Sequence, residues 1–279
     1  MRFSLILESM NGFRISLSHT ANNYMTSKID GLGPPNATVA TSAYAGTGGS
    51  YLNNAFIEKR NIVINFEMRG IDIEKRRQLL YKVATPSQYV KIFYQTTNTN
   101  VYSYGYVETC EINNFEIFTS GQISIICPDI YWYGKQIISS YEYQNAFRFP
   151  FPESDEPFTL GGYNDDKTIT VENDGDPVGF TIEITAETSA ETVTVYNADT
   201  GEYLRINGDI QPNDIITITT HTGNKTISLN RGGFSTNIIN WFVYGSTWLT
   251  MNWGVNRFRL EAPENISARI IHINAYLGV

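Results

Sequence analysis

The side chains that most often carry out chemistry are few and scattered in this sequence. His19, His221 and His272 are its three histidines, and no two of them stand at the spacing of a metal-binding motif. No Gly-x-Ser-x-Gly motif marks a nucleophilic serine, although a Ser-His-Asp triad assembled from distant positions stays an open alternative. We therefore expect no zinc site, no catalytic residue and no cofactor.

Paired carboxylates offer a second kind of chemistry. Asp165-Asp166 and the run Asp174-Gly175-Asp176 have the residue types of a glycosidase pair or of calcium ligands. A calcium loop would need further ligands and a terminal Glu, and tight turns use the same residues. We interpret the run as a hairpin turn. A cell-wall hydrolase that uses Asp174 and Asp176 remains one of three hypotheses for the function of this protein.

An aromatic-rich stretch in the second half could stack against sugar rings. Trp248 alternates with polar neighbours in a predicted strand, so it is expected to point inward. Trp253 lies on a predicted turn, and it is the better candidate for a sugar contact, together with Tyr244. Core packing explains large aromatic side chains equally well, and we favour it for the stretch as a whole. The stretch contains Trp241, Phe242, Tyr244, Trp248, Trp253 and Phe258.

Composition and charge narrow the class of protein. The 279 residues are enough for two domains, and 28 acidic against 20 basic residues give a formal charge of -8. A general nucleic-acid binder needs a basic face, so the partner is expected to be protein or sugar. Eighteen Tyr and fifteen Phe favour β-structure.

Cysteine content and hydropathy exclude two further classes. Cys110 and Cys127 lie within predicted strands, and two cysteines do not make a disulfide framework, so buried free thiols are expected. Residues 1–10 have neither the charge pattern nor the cleavage site of a signal peptide. No apolar run approaches the roughly 18 residues of a membrane span. We expect a soluble protein made in the cytoplasm, with no membrane partner.

The first half of the chain reads as a β domain with one helix, over residues 1–136. Alternating apolar residues predict strands, and Asn11-Gly12 suits a turn between the first two. Asp72 is placed to cap a helix over 73–84, which Thr85-Pro86 ends. Ser120-Gly121 is predicted to be a turn. The predicted strands are 3–7, 13–17, 61–68, 89–95, 101–112, 115–118 and 122–127.

Residues 36–54 have a different composition. They are mostly Thr, Ala, Ser and Gly, which is too poor in large side chains to form a core alone. We interpret them as a long arm or loop. One alternative is an extension that pairs with a neighbouring subunit through Tyr44, Tyr51 and Phe56. The other is a surface loop, which composition alone favours.

The second half, residues 137–279, is predicted to be an antiparallel β-sandwich. Its predicted strands recur at the spacing typical of sandwiches, and turn residues such as Asn207-Gly208-Asp209 separate them. The stretch 137–160 contains three prolines and a small acidic cluster, and it marks the entry to this domain. The predicted strands are 167–172, 180–185, 192–197, 203–206, 214–220, 225–228, 237–242, 247–251, 256–260 and 267–276.

Taken in order, several of these segments resemble the siphophage distal tail protein family. The more specific ones are Asp30-Gly31-Leu32-Gly33-Pro34-Pro35, the strand opening with Arg60-Asn61-Ile62, the helix with Arg76-Arg77-Gln78-Leu79-Leu80, Tyr104-Gly105-Tyr106 and the strand ending in Cys127-Pro128-Asp129-Ile130-Tyr131-Trp132. Looser matches are 171–176, 207–210, 249–256 and 276–279. Where the family is expected to have a Pro-Gly turn, this chain has Trp253-Gly254.

The resemblance implies a non-enzymatic virion protein at the tail tip. It implies that the first domain forms a hexameric ring around the DNA channel and that a galectin-like sandwich projects outward. The implied partners are the tail tube protein, the tape-measure end, a tail-associated lysin-like protein and a receptor-binding protein, with DNA only as passing cargo. The alternative is a carbohydrate-binding module that recognises a cell-wall saccharide.

Overall fold

The chain folds into two compact units. The computed structural model describes residues 3–19, 23–70, 72–113, 119–140, 143–144, 162–163 and 167–279. One unit consists of Met1–Lys135 with Ala275–Val279, and the other of Gln136–Asn274. The sequence placed residues 275–279 with the second unit. They belong to the first because the Val279 N–H donates a hydrogen bond to the Leu32 carbonyl at 3.1 Å.

The predicted fold class, mainly β with a helix in the first half and a sandwich in the second, is confirmed. The first unit contains the helix α1 (Ile73–Val83) and the start of a strand that crosses into the second unit, β10 (Trp132–Ser140). Its other strands are β1 (Ser4–Ser9), β2 (Arg14–Ser18), β3 (Tyr24–Asp30), β4 (Ala37–Ala43), β5 (Ser50–Ile57), β6 (Arg60–Met68), β7 (Tyr89–Gln95), β8 (Asn100–Asn113) and β9 (Thr119–Cys127).

The sheet of the first unit closes on itself. Its strands follow the order β8-β7-β1-β2-β3-β6-β9, and β9 pairs back with β8. Strict alternation produces the core: β6 buries Ile62, Ile64 and Phe66 and leaves the residues between them half-buried or exposed. Because a slip of one residue would turn this apolar face outward, the pairing of Ile62 with Ile125 is strongly specified.

The helix α1 ends one residue earlier than predicted, and only part of its apolar side chains are buried. Leu80 and Val83 are buried, whereas Ile73 and Leu79 are each 36% exposed. Asp72 occupies the cap position, but it has a left-handed φ of 63° and makes no side-chain capping hydrogen bond. The Tyr24 hydroxyl contacts the helix and donates a hydrogen bond to the Arg76 carbonyl at 2.8 Å.

The outer face of β7 and β8 carries a cluster of tyrosines around one lysine. Tyr89 stacks on Tyr104 with ring centroids 5.5 Å apart, and the Lys91 ammonium lies 4.2 Å from the centre of the Tyr102 ring. Burial and the neighbouring tyrosines raise the pKa of Tyr89 to about 12. The Tyr89 hydroxyl is therefore protonated at neutral pH. The cross-strand aromatic and cation–π contacts stabilise this part of the sheet.

The second unit is a sandwich of two antiparallel sheets. One has the order β13-β20-β15-β16 and the other contains β19-β18-β17-β14-β21. Phe180 and Phe258 meet in the core between them, with ring centroids 4.8 Å apart. The strands are β11 (Tyr143–Gln144), β12 (Gly162–Tyr163), β13 (Thr168–Asn173), β14 (Thr181–Ala186), β15 (Ala190–Asn197), β16 (Tyr203–Ile210), β17 (Ile215–Thr219), β18 (Thr226–Arg231), β19 (Phe234–Asn237), β20 (Gly254–Glu261) and β21 (Ile266–Tyr276).

Two predicted turns are wrong, because the glycine of each lies within a strand and beside an aromatic ring. Gly121 lies inside β9, where a Cβ would be 2.6 Å from the Phe66 ring. Gly208 lies inside β16, where a Cβ would be 2.1 Å from the Trp241 ring. A glycine within a strand marks a close approach by another group, and here each one makes room for an aromatic ring.

The aromatic stretch of the second half also departs from the prediction. The predicted strands over 237–242 and 247–251 are replaced by a 3₁₀ turn, Ile239–Trp241, and by irregular chain. Trp248 is half-buried and stacks on Phe242 at 4.8 Å and 13°, so it packs on the core without being in a strand.

Some predictions fall outside the described residues, namely the strand over 115–118, the pair Asp165-Asp166 and most of 137–160. No helix within the described ranges is long and apolar enough to cross a membrane.

Candidate functional site

The arm predicted over 36–54 is a regular β-hairpin and not a loop. Strands β4 and β5 pair antiparallel from Ala37–Ile57 to Ala43–Ser50 and form a two-stranded sheet of their own. The Tyr44 N–H donates to the Gly49 carbonyl at 3.2 Å and closes the tip. Gly46 and Gly49 have φ of 76° and 107°, values that glycine adopts easily, which explains two of the three glycines of this segment.

A bulge in the hairpin sorts its side chains into two faces. The register shifts between Ala40, which pairs with Asn54, and Thr41, which pairs with Leu52. Asn53 is the extra residue. The bulge that it forms moves the side chains of the preceding β5 residues to the opposite faces from those that an unbroken alternation would give. Cross-strand partners share a face. The aliphatic face therefore contains Val39, Leu52, Ala55 and Ile57, and the aromatic face contains Tyr44, Tyr51 and Phe56.

Both faces of the hairpin are exposed. Val39 and Leu52 are 58% and 61% exposed, and Phe56 is 53% exposed. Tyr44 and Tyr51 are half exposed and touch each other, with ring centroids 5.5 Å apart. An isolated two-stranded hairpin is marginally stable in water, and its outer edges present unpaired backbone groups. Exposed apolar side chains concentrated on such an element mark an interaction surface.

The root of the hairpin is held by one buried arginine. Arg60, the first residue of β6, is 1% exposed. Its Nη1 donates to the carbonyls of Gly31 and Gly33, each at 2.6 Å. Its Nη2 donates to the carbonyls of Ile130 and Leu277, each at 2.7 Å. We call this set of four hydrogen bonds the Arg60 clasp.

The clasp contains no carboxylate. Within the described ranges no Asp or Glu forms an ion pair with Arg60, and the Trp132 ring lies 5.4 Å from its guanidinium carbon. Burial lowers the pKa of Arg60, and nearby Cys127 and Asp129 oppose that effect. Asp129 also accepts from the Tyr131 N–H at 3.1 Å, in the turn that presents the Ile130 carbonyl. Backbone carbonyls and an aromatic ring therefore replace the anion that a buried arginine usually has.

No role was predicted for Arg60 from the sequence. Its partners come from three other segments, around Gly31–Gly33, Ile130 and Leu277, that were noted only as separate motifs. An arginine that opens an otherwise apolar strand was the available signal, because a buried cation needs several partners.

The two proposed sugar contacts lie apart. Trp253 is 76% exposed and precedes Gly254, the first residue of β20. Tyr244 is fully exposed, and it follows Val243, whose N–H donates to the Arg205 carbonyl. Arg205 in β16 is paired with Thr194 in β15, and Thr194 is paired with Glu261 at the other end of β20. At about 3.3 Å per residue the two side chains are roughly 20 Å apart along the sheet, too far to form one platform.

The bend that carries Trp253 is rigidly held. Buried Asn256 bonds to Asn252 in both directions, each at 2.8 Å. Asn173, also buried, donates to the Asn252 carbonyl at 3.2 Å and accepts from the Gly175 N–H at 3.1 Å. The Asp174–Asp176 loop and the Trp253 bend are therefore tied together by asparagines.

The other candidate chemical groups do not come together. Within the described part of the chain no three His, Cys, Asp or Glu side chains form a cluster that could hold a metal. Cys110 and Cys127 are free thiols, and burial raises the pKa of both to about 11. A thiol with such a pKa is almost entirely protonated at neutral pH, so it is a poor nucleophile.

Buried His272 should make the stability of the second unit sensitive to acid. The ring is 1% exposed in β21, and burial lowers its pKa below 6.5, against smaller opposing effects of Glu172 and Asn274. The folded state then binds its proton less readily than the unfolded state, so stability should be complete above pH 6.5 and decrease as the pH falls below it. Denaturant unfolding at pH 7 and pH 5 should show this loss.

His272→Asn is the control for that prediction, since it removes the titrating group. Its unfolding free energy should change less between pH 7 and pH 5 than that of the unmodified chain. Equal changes in the two proteins would contradict the assignment to His272.

Comparison with known proteins agrees with this architecture. Residues 15–127 match the phage tail protein RIFT-related domain, and residues 175–275 match the C-terminal domain of the siphovirus-type tail component. No curated protein matches the chain.

Two solved structures are similar over almost the whole chain. One is the SPP1 Dit protein, described as a paradigm of the hub adsorption apparatus in phages that infect Gram-positive bacteria. It has a TM-score of 0.66 and 14% identity, with 97% of this chain and 98% of that chain covered. The other is a chain of the phage P2 baseplate, with a TM-score of 0.50, 14% identity and 98% of both chains covered. The two domain matches, in this order and on this fold, identify the chain as a member of the siphophage distal tail protein (Dit-like) family, a structural component of the phage tail hub or baseplate.

Proposed function

We propose that this protein is the distal tail hub, and that six copies form a ring at the tail tip through the hairpin arm of the first unit. The observation that carries the proposal is the arm itself, a self-paired hairpin with exposed apolar side chains on both faces. A ring needs one surface that meets a different surface on the next subunit. An arm that extends from its own unit is suited to such a contact.

The ring would link the parts of the tail. It would join the tail tube protein and the tape-measure end on one side to the tail-associated lysin-like protein and the receptor-binding protein on the other. No catalytic step is required of it. The net charge of -8 supports this role, because a conduit for DNA should not hold the phosphates that pass through it.

The mass of the assembly tests this proposal. Light scattering of the purified chain should give about six times the chain mass of 31.5 kDa, and negative-stain images should show closed six-membered rings. A strict monomer across the accessible range of concentrations would count against the ring.

A carbohydrate-binding role of the second unit is a second candidate. The observation that favours it is Trp253, which is 76% exposed on a bend fixed by two buried asparagines. A rigid exposed indole is suited to stacking on a sugar ring at little cost in ordering entropy.

Binding of purified cell-wall polysaccharide tests that role. The full chain should bind, Trp253→Ala should abolish binding, and Phe234→Ala, which alters another exposed ring of the same unit, should not. If Tyr244→Ala alone abolishes binding, the site lies at the other end of the sheet, near Tyr244. Absence of binding by the unmodified chain would remove the hypothesis.

A further inference from the structure

Four separate segments meet at the root of the arm. Gly31–Gly33 precede β4, Arg60 follows β5, and Ile130 and Leu277 are contributed from elsewhere in the first unit. The Glu58 N–H donates to the Asn36 carbonyl at 2.8 Å and joins the two chains of the hairpin just above this point. Both ends of the hairpin therefore depend on one guanidinium group.

Residues 277–279 form the part of this root that comes from farthest along the chain. The Leu277 carbonyl accepts from Arg60 across 217 positions, and the Val279 N–H donates to the Leu32 carbonyl. Between them, Gly278 lies directly on Pro34. A Cβ at residue 278 would be 2.8 Å from Pro34 Cδ and 3.1 Å from Pro34 N, both closer than ordinary contact.

We propose that residues 277–279 are the positioning element of the arm, which set its direction by fixing Pro34 and the Gly31–Gly33 carbonyls. The inference rests on the proposed function in one respect, since contact with a neighbouring copy is what the direction of the arm would serve. Proline restricts φ, so a fixed Pro34-Pro35 passes its orientation on to the first residues of β4.

The length of the arm makes the position of its tip sensitive to the orientation of its root. Seven residues of β4 span about 23 Å from root to tip at about 3.3 Å per residue. A rotation of about 10° at the root would then move the tip by roughly 4 Å, whereas packed side chains tolerate less than about 1 Å. The arm makes few contacts that could correct such an error, because every residue of β5 is exposed.

Gly278→Ala in the full chain is the variant that tests the inference, and Gly33→Ala is its matched control. Both replace a glycine near the arm root by the same residue, but a Cβ at Gly33 meets nothing within 4 Å. Hydrogen exchange at a dilution where the chain is monomeric reports on the root. Sedimentation velocity at higher concentration reports on assembly.

In Gly278→Ala, the amides of residues 31–33, 36 and 58–60 should exchange at least tenfold faster, while those of β1 and β7 should be unchanged. Assembly should weaken at least tenfold without a matching loss of thermal stability. Gly33→Ala should behave like the unmodified chain in both measurements.

Unchanged exchange at the root in Gly278→Ala would overturn the inference, and so would a loosened root with undiminished assembly. A loss of protection spread over β1 and β7 as well would assign residues 277–279 a merely structural role. If the unmodified chain never assembles, the ring proposal fails, and the exchange result alone then decides whether residues 277–279 hold the arm.

Discussion

Replacement of Val39 by Asp should abolish the proposed ring while leaving both units folded. Val39 is 58% exposed in the centre of the aliphatic face of the arm. A carboxylate there costs little in the monomer but would lose its hydration in a subunit contact. Burial of an unpaired carboxylate at the centre of a contact should cost about 2 kcal/mol or more, which is roughly 30-fold in the dissociation constant of each interface. Sedimentation velocity should show monomers at concentrations at which the unmodified chain is expected to form rings.

Val255→Asp is the matched control. Val255 is 60% exposed in a strand of the second unit, so the same change is made at the same exposure away from the arm. It should leave assembly intact. If both variants assemble, the aliphatic face is not the contact, and Tyr51→Asp then asks the same question of the aromatic face. If Val255→Asp alone prevents assembly, the contact between copies lies in the second unit and the proposal is wrong.

Replacement of Arg60 by Met should destabilise the first unit by about 4 kcal/mol. The change removes four charge-assisted hydrogen bonds, and the half-buried carbonyls of Gly31, Ile130 and Leu277 and the more exposed carbonyl of Gly33 lose their buried donor. Loss of the cation also removes its contact with the Trp132 ring. Calorimetry should show a lower transition temperature for the first unit and an unchanged one for the second.

Arg14→Met provides the control for Arg60. The Arg14 side chain is 64% exposed and forms a surface ion pair with Glu8 at 3.0 Å. Surface pairs contribute little to stability, so this variant should unfold close to the unmodified chain. Similar effects of the two substitutions would mean that the clasp is far weaker than its geometry indicates.

Strands with one buried face were predictable from the sequence. The alternation over 61–68 corresponds to β6, and the runs on either side of Asn11-Gly12 correspond to β1 and β2. In these segments local preference, periodicity and turn residues agree, so the tertiary structure adds little new information. Elements in the second half were also found where alternation was regular, as in β14 and β17.

Errors arose where a distant residue determines the local structure. Gly121 and Gly208 looked like turn residues because the rings of Phe66 and Trp241, which occupy the space beside them, are far away in sequence. The segment 36–54 was predicted to be an arm or loop without strands for a related reason. Its strands bury almost nothing in their own unit, so they lack the apolar periodicity on which strand prediction depends.

The candidate site was predictable only in part. Tyr44, Tyr51 and Phe56 were identified as arm residues, and the register places them on one face, although their contact with a neighbour remains a proposal. Val39 and Leu52 were missed because the bulge that aligns them cannot be seen in a list of residues. Arg60 was missed because its function is defined by four carbonyls that only the fold brings together.

The long sequence separation within the Arg60 clasp has a consequence for biosynthesis. Domains generally fold as units during translation, the N-terminal one first. Here the first unit cannot complete its clasp when its own strands leave the ribosome, since Leu277 is joined to Arg60 across 217 positions. The sandwich is synthesised in between. A nascent chain therefore carries an arm whose root lacks the Leu277 hydrogen bond until the sandwich has been synthesised.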